Sequence, residues 1–142
     1  MALLNREKRE ARAHAVLMLY QYDVGNFEPE DIKDMYGEET GNLKEEIFSV
    51  ACALMDETVE NLKSVDSLIS KYLKKGWRIS RLLPVDRAIL RVATAELLGN
   101  PLSPSPAIIN DAVEIAKEYG EDEKSSKLIN AILDRISKEK CG

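Results

Sequence analysis

The stretch PVDRAILRVATAELL at residues 84–98 decides the fold of this chain. Proline suits the first turn of a helix, because the N–H that it lacks would have no partner there. At about 100° per residue, apolar side chains cover most of the predicted helix, and only Arg87, Arg91 and Thr94 form a narrow polar strip. A helix that is apolar on nearly all sides is normally surrounded by other helices. We therefore predict that this stretch is the central helix of an all-α domain.

Six further helices are predicted around it from apolar residues at helical spacing and from residues that start or end helices. Their predicted starts are Asn5, Pro29, Asn42, Ser64, Ser105 and Asp122, and their predicted ends lie near Tyr22, Tyr36, Leu62, Leu73, Tyr119 and Ser137. Gly37 and Gly76 are expected to close the second and fourth helices. We expect one domain, 1–142, made of two small bundles that share a core, with an N-terminal subdomain of about 1–76 and a C-terminal one of about 77–142.

The composition indicates a folded globular domain outside membranes. The chain has 142 residues, of which 44% are hydrophobic and 32% are charged. No apolar run approaches the roughly 18 residues of a membrane span, and the N-terminus lacks the apolar segment of a signal peptide. We therefore expect a cytoplasmic protein with no membrane partner.

Catalysis and cofactors are not expected. The chain has two isolated cysteines, Cys52 and Cys141, and one histidine, His14, which make neither a disulfide framework nor a metal site. A catalytic thiol would need a base beside it, and the motifs of nucleotide-binding, zinc-dependent and serine-hydrolase sites are missing. We predict a protein that is not an enzyme and has no metal or cofactor.

Charge is unevenly distributed, although the net charge is only −5. Residues 28–46 are rich in acids, and residues 71–91 carry seven cations against one acid, Asp86. In the first helix, Lys8, Arg9 and Arg12 continue the face that is apolar further along. We predict that this helix extends beyond the bundle by two turns and presents these cations beside a groove. An ordinary solvated helix start is the alternative.

Four other residues invite either a structural or a functional interpretation. We expect Trp77 to pack between the two subdomains. The alternative is that its ring stacks on a nucleic-acid base. Glu96 falls on an apolar arc, where a buried carboxylate needs a partner, so a structural ion pair is expected. Asn110 and Asn130 are expected to form hydrogen bonds between helices.

Four segments resemble the NusB transcription antitermination family. They are KREARAHAVLMLYQYD at 8–23, YLKKGWRISRLLPVDRAILRVATAELL at 72–98, AIINDAVEIAKEYG at 107–120 and KLINAILDRI at 127–136. The resemblance covers almost the whole chain and implies an all-helical fold of two subdomains at right angles. It also implies binding of boxA in nascent RNA jointly with NusE, a small-subunit ribosomal protein. That complex joins other Nus factors on RNA polymerase and supports transcription, chiefly of ribosomal RNA operons.

The resemblance also implies site residues. The family's arginine-rich RNA-binding start matches Lys8, Arg9 and Arg12, with Arg6 beside them, and the positions associated with NusE docking match Tyr20 and Asp86. The chain departs from the family pattern in four places, which are Glu10 at a commonly basic position, Lys124 where an acid is usual, Leu128 where a phenylalanine is usual, and the loop EDEKSS at 121–126, which is one residue longer. Lys124 is expected to add a phosphate contact.

Two alternatives to an antitermination factor remain. One is a NusB-like RNA-binding module of the kind fused to ribosomal RNA cytosine methyltransferases, which the end of the chain at Gly142 disfavours. The other is a helical protein–protein adaptor, including a homodimer that hides the RNA surface.

Overall fold

The computed structural model describes residues 3–141, with side chains for residues 3–139. This part of the chain is all-α, as predicted, and contains no strand. Its helices are α1 (Asn5–Gly25), α2 (Pro29–Glu39), α3 (Glu45–Glu60), α4 (Leu62–Lys71), α5 (Pro84–Leu98), α6 (Ser105–Tyr119) and α7 (Ser125–Cys141), with one turn of 3-10 helix at Ile79–Arg81. No helix in the described residues is long and apolar enough to cross a membrane.

Helix α5 is the central helix, with the bounds that the sequence predicts. It packs against α1, α3 and α4 from the first half of the chain and against α6 and α7 from the second. Its buried residues include Leu90 and Leu97, which are completely inaccessible. Because one helix is covered from both sides, the halves of the chain share a single core.

The polar strip of α5 is covered rather than exposed. Arg91 and Thr94 are both buried. Acids from α1 and α4 lie over the arginine. The Arg91 guanidinium donates to both Asp66 carboxylate oxygens at 2.8 Å, and Arg87 pairs with Asp23 at 2.6 Å. The basic stretch 71–91 is therefore partly neutralised in the folded protein.

The predicted cap of α1 is wrong. Asn5 lies inside the helix, and Leu4 takes the capping position without a side-chain cap of its own. The Glu7 carboxylate instead accepts the Leu4 backbone N–H at 2.8 Å and the Lys44 ammonium at 2.9 Å. These bonds lower the pKa of Glu7, the backbone bond being the larger cause and Lys44 the next.

Other predicted helix boundaries are wrong as well. Helix α4 ends at Lys71 instead of being closed by Gly76, and α7 begins at Ser125 instead of at Asp122. Helix α2 runs through Gly37 to Glu39, because nothing forces that glycine out of helical geometry. Neither Asn42 nor Ser64 caps a helix. Helix α4 begins immediately after α3, with Asn61 as the only break between them.

Three polar or aromatic residues predicted to be buried lie at the surface. Trp77 is 53% exposed and therefore does not plug the junction between subdomains. Asn110 and Asn130 are exposed, on the outward sides of α6 and α7. Their neighbours Ile109 and Ile129 fill the core instead, so each amide is turned towards solvent.

Candidate nucleic-acid interface

Arg12 lies in a buried ion-pair network where α1, α5 and α6 meet. Its Nε and Nη2 atoms donate to the two oxygens of Glu96 at 2.8 and 2.7 Å. Its Nη1 donates to Asp111 Oδ2 at 2.6 Å, and Nη2 also reaches Ser103 Oγ at 3.0 Å. Burial acts to lower the pKa of Arg12, but the hydrogen bonds and charges of the two acids outweigh it and raise the pKa.

This burial corrects the prediction that α1 extends beyond the bundle. Arg12 is only 4% exposed, because α5 and α6 cover the helix at the turn where it was expected to be free. The structural ion pair expected for Glu96 is present, with Arg12 as its partner. Only 5% of the Arg12 side chain is accessible, so most of it faces the two acids.

Arg9, one turn earlier, combines anchoring with exposure. Its Nε donates to Asp111 Oδ1 at 2.9 Å, while half of the side chain remains accessible. Within the described residues, the Arg9 side chain makes no other hydrogen bond. Its Nη1 and Nη2 atoms are therefore available to donate to a ligand. Asp111 therefore holds Arg9 and Arg12 together through its two oxygens.

Two grooves flank Arg9. The first, of about 330 Å³, runs between the start of α1 and the loop and first turns of α6, and it is lined by Asn5, Arg6, Arg9, Arg12, Ser103, Ala107, Asn110 and Asp111. The second, of about 580 Å³, is lined by Arg6, Arg9, Glu10, Ala13, His14, Glu114, Ile115, Lys117, Glu118 and Tyr119. Arg6 and Arg9 line both grooves and form the ridge between them. The first groove is lined by amide, hydroxyl and guanidinium groups, which can donate hydrogen bonds to nucleic-acid phosphates and base edges.

Lys8 and Lys124 are placed apart from this ridge. Lys8 is half-buried on α1 and lines neither groove. Lys124 is exposed and immediately precedes Ser125, whose hydroxyl donates to Asp86 Oδ2 at 2.8 Å. Asp86 lies in the first turn of α5 and Glu96 in its last, so Lys124 and the Arg12 network are at opposite ends of that helix.

Tyr20 and Asp86 lie towards the same end of the molecule. Tyr20 is half-buried against the core, three residues before Asp23, which pairs with Arg87 on α5. Asp86 is only 4% exposed, so the carboxylate does not form the surface that the sequence suggests. Burial raises its pKa, the Ser125 hydrogen bond opposes that rise, and the charges of neighbouring acids add to it.

Sequence reasoning missed Asp111, Ser103 and the position of Asn110 beside the groove. A signal for Asp111 was present, since it falls three residues after Ile108 and four before Ile115, on the buried face of α6. An acid on such a face needs a cation. Nothing in the local sequence indicates that Ser103 would reach Arg12.

Known proteins similar to this chain include transcription antitermination proteins. The profile of the NusB family matches residues 9–138. The transcription antitermination protein NusB of Koribacter versatilis (strain Ellin345) is 34% identical over 139 residues, which cover 98% of this chain and 94% of the relative.

Two solved structures extend the comparison to the fold. NusB of T. maritima has a TM-score of 0.82 and 37% identity, covering 98% of this chain and 94% of its own. A crystal structure of the antitermination factors NusB and NusE in complex with dsRNA has a TM-score of 0.82 and 31% identity, covering 94% of this chain and 98% of that one. The chain belongs to the NusB family of transcription antitermination proteins.

Proposed function

We propose that this protein binds boxA-containing single-stranded RNA together with the ribosomal protein NusE. In a complex with other Nus factors on RNA polymerase, it would support transcription of ribosomal RNA operons. The ridge formed by Arg6 and Arg9 is the observation that carries the proposal, because it presents exposed guanidinium groups between two polar grooves. The solved NusB relative in complex with NusE and dsRNA supports both classes of partner.

The residues of the proposed RNA site have different tasks. Arg6 and Arg9 would contact RNA phosphates. Lys8 and Lys124 lie further from this ridge and would strengthen the positive electrostatic potential around the RNA. Arg12 would act indirectly, because its buried guanidinium holds Asp111, and Asp111 holds Arg9. Arg12 is in this sense a positioning residue.

The proposed NusE contact lies at the other end of α1. Tyr20 would contribute its exposed edge, whereas buried Asp86 would hold the first turn of α7 through Ser125. Loss of NusE binding in Tyr20→Ala, with the helical circular dichroism spectrum retained, is the expected result; some loss of thermal stability is also expected, because the side chain packs on the core. Retained binding would move the docking site elsewhere.

The test of RNA binding is a titration of labelled boxA and scrambled RNA with Arg9→Glu. We expect the wild type to prefer boxA and to bind it more tightly with NusE present. Arg9→Glu should weaken binding by about 10- to 150-fold, since a hydrogen bond to a charged group contributes about 1.5–3 kcal/mol. Arg9→Ala should flatten the dependence of log K on log salt by roughly 0.7 if one phosphate contact is lost.

The matched control is Arg135→Glu, which makes the same charge change at an exposed arginine of α7. Equal losses in Arg9→Glu and Arg135→Glu would indicate a general charge effect and contradict the ridge. Arg12→Glu is unsuitable as a probe, because it would bury an acid against Glu96 and Asp111 and unfold the helix junction. Equal wild-type affinity for boxA and scrambled RNA would contradict the sequence-specific proposal.

A further inference from the structure

A second cationic surface lies in the segment between α4 and α5. The residues Lys74, Lys75, Trp77, Arg78 and Arg81 are all exposed, and we call them the Trp77 patch. It combines the only tryptophan of the chain with four cations in eight residues. The function proposed above does not use this surface.

The cations of the Trp77 patch differ from those on either side of it. Lys71 pairs with Glu139, and Arg87 and Arg91 pair with Asp23 and Asp66. None of the four patch cations forms a salt bridge with another side chain in the part of the chain that the structure describes. The chain between Asp66 and Asp86 contains no acid at all. The patch therefore keeps its positive charge in a protein whose net charge is −5.

Backbone hydrogen bonds order the loop that carries Trp77. The Trp77 N–H donates to the Lys74 carbonyl at 2.9 Å, closing a turn around Gly76, whose φ of 87° favours glycine. The Arg81 N–H closes the next turn on the Arg78 carbonyl at 2.9 Å. Trp77 nevertheless remains 53% exposed, so an aromatic face is presented to solvent by an ordered loop.

The first turns of α5 anchor the same loop. Arg87 Nη1 donates to the Leu82 carbonyl at 3.1 Å and also approaches the carbonyls of Ile79 and Ser80. Leu82 itself is buried in the core. Because the backbone of this loop is already ordered, a ligand that stacks on Trp77 does not have to order the loop when it binds.

We propose that the Trp77 patch is a second single-stranded RNA contact, in which a base stacks on Trp77 and the flanking cations contact phosphates. Exposed aromatic and cationic side chains together are the usual means of holding unpaired nucleic acid, because every base has a face that stacks. Trp and Arg are also common in protein–protein interfaces, but four unpaired cations with no acid between Asp66 and Asp86 give this surface a charge of one sign. Charge complementarity therefore favours a polyanion over a protein.

The patch is distinct from the Arg6–Arg9 ridge. It precedes the first turn of α5, whereas the Arg12 network meets that helix at Glu96 in the last turn, about 18 Å away along the helix axis. The proposal rests on the proposed function only in sharing RNA as the ligand class. It adds a contact with RNA that continues beyond the segment held by the ridge.

The fluorescence of Trp77 reports directly on this contact, since the chain has no other tryptophan. The probes are a short oligouridylate and a boxA RNA with and without a single-stranded extension. We expect the oligouridylate and the extended RNA to quench the emission and bare boxA to quench it less. Trp77→Ala should weaken oligouridylate binding about 5- to 150-fold, as expected for loss of one stacked base, and Trp77→Phe should restore most of it.

Phe27→Ala provides the matched control, because Phe27 is another aromatic residue that is 47% exposed. It should leave oligouridylate affinity unchanged, whereas Lys75→Glu and Arg78→Glu should each lower it. Circular dichroism of each variant establishes that the fold is retained. An unquenched wild type, or a Trp77→Ala variant that binds as well as the wild type, would overturn the proposal.

Two further outcomes separate this proposal from the one above. If Arg9→Glu abolishes boxA binding while oligouridylate still quenches Trp77, both proposals stand as separate contacts. If boxA preference fails in the wild type but quenching persists, the function proposed above fails and the patch remains. Quenching by NusE with none by RNA would make the patch a protein-docking surface and contradict this inference.

Discussion

Replacement of Glu96 by alanine tests the buried ion-pair network on which the proposed RNA site depends. Glu96 is 1% exposed and accepts two hydrogen bonds from Arg12, at 2.8 and 2.7 Å, and one from the Leu102 N–H at 3.0 Å. The alanine would leave the Arg12 charge buried with Asp111 as its only remaining acid. It would also leave the loop before α6 without an acceptor for its N–H.

The expected loss follows from these contacts. Removing one partner of a buried pair costs roughly 3–5 kcal/mol, because the other charge remains desolvated. Asp111, at 2.6 Å from Arg12, still compensates part of that charge, so we expect the lower end, about 3 kcal/mol. For a domain of this size the melting temperature should fall by roughly 6–12 °C.

The assay is urea unfolding followed by circular dichroism, with the midpoint and the slope fitted together. Glu114→Ala is the control, since Glu114 pairs with Lys117 at 3.4 Å on the surface and should cost less than about 0.5 kcal/mol. The double variant Arg12→Met with Glu96→Met should be more stable than Glu96→Ala, because the buried Arg12 charge is removed and Asp111 keeps Arg9 as its partner at 2.9 Å. A cost below about 1 kcal/mol for Glu96→Ala would refute the reasoning.

Two further predictions concern stability. A Cβ at Gly120 would overlap the Ala116 carbonyl oxygen, so Gly120→Ala should cost about 1–3 kcal/mol in urea unfolding, whereas Gly41→Ala, whose Cβ would lie 3.9 Å from its nearest neighbour, should cost less than about 0.5 kcal/mol. Equal effects would contradict the close approach. Burial lowers the pKa of His14 beneath its ordinary 6.5, and its ring contacts the Tyr36 hydroxyl. The unfolded chain therefore takes up the proton first, and stability present above pH 6.5 is lost as the pH falls. The melting temperature of the wild type should drop between about pH 7 and 5, and that of His14→Gln should drop less. If both melting temperatures fall equally with pH, His14 is not the cause.

The helices themselves followed from local patterns wherever the patterns were strong. Residues 84–98 were bounded correctly because a proline start, an apolar circumference and a glycine after the end agree with one another. The weaker cap signals failed at Asn5, Asn42 and Ser64. Capping by a short polar side chain is a small effect, and packing of the neighbouring turns outweighs it.

The residues predicted to bind RNA could likewise be inferred only in part from the sequence. The sequence alone showed that Arg6, Lys8, Arg9 and Arg12 lie on one short stretch of helix, which is a matter of spacing. It could not show that Asp111 would anchor one arginine and bury another, because the bond to Arg12 spans 99 residues. Tertiary packing likewise decided that Trp77 would face solvent instead of the junction.

What the sequence determined by itself is the all-α fold, the central helix and the clustering of positive charge at the start of α1 and around Trp77. What only the tertiary structure decided is which of those charges remain free. Arg9 and Arg12 are one turn apart, yet one is half exposed and the other is enclosed by Glu96 and Asp111. The physical reason is that a cation's availability depends on the acids that distant helices bring to it, and local spacing carries no record of those acids.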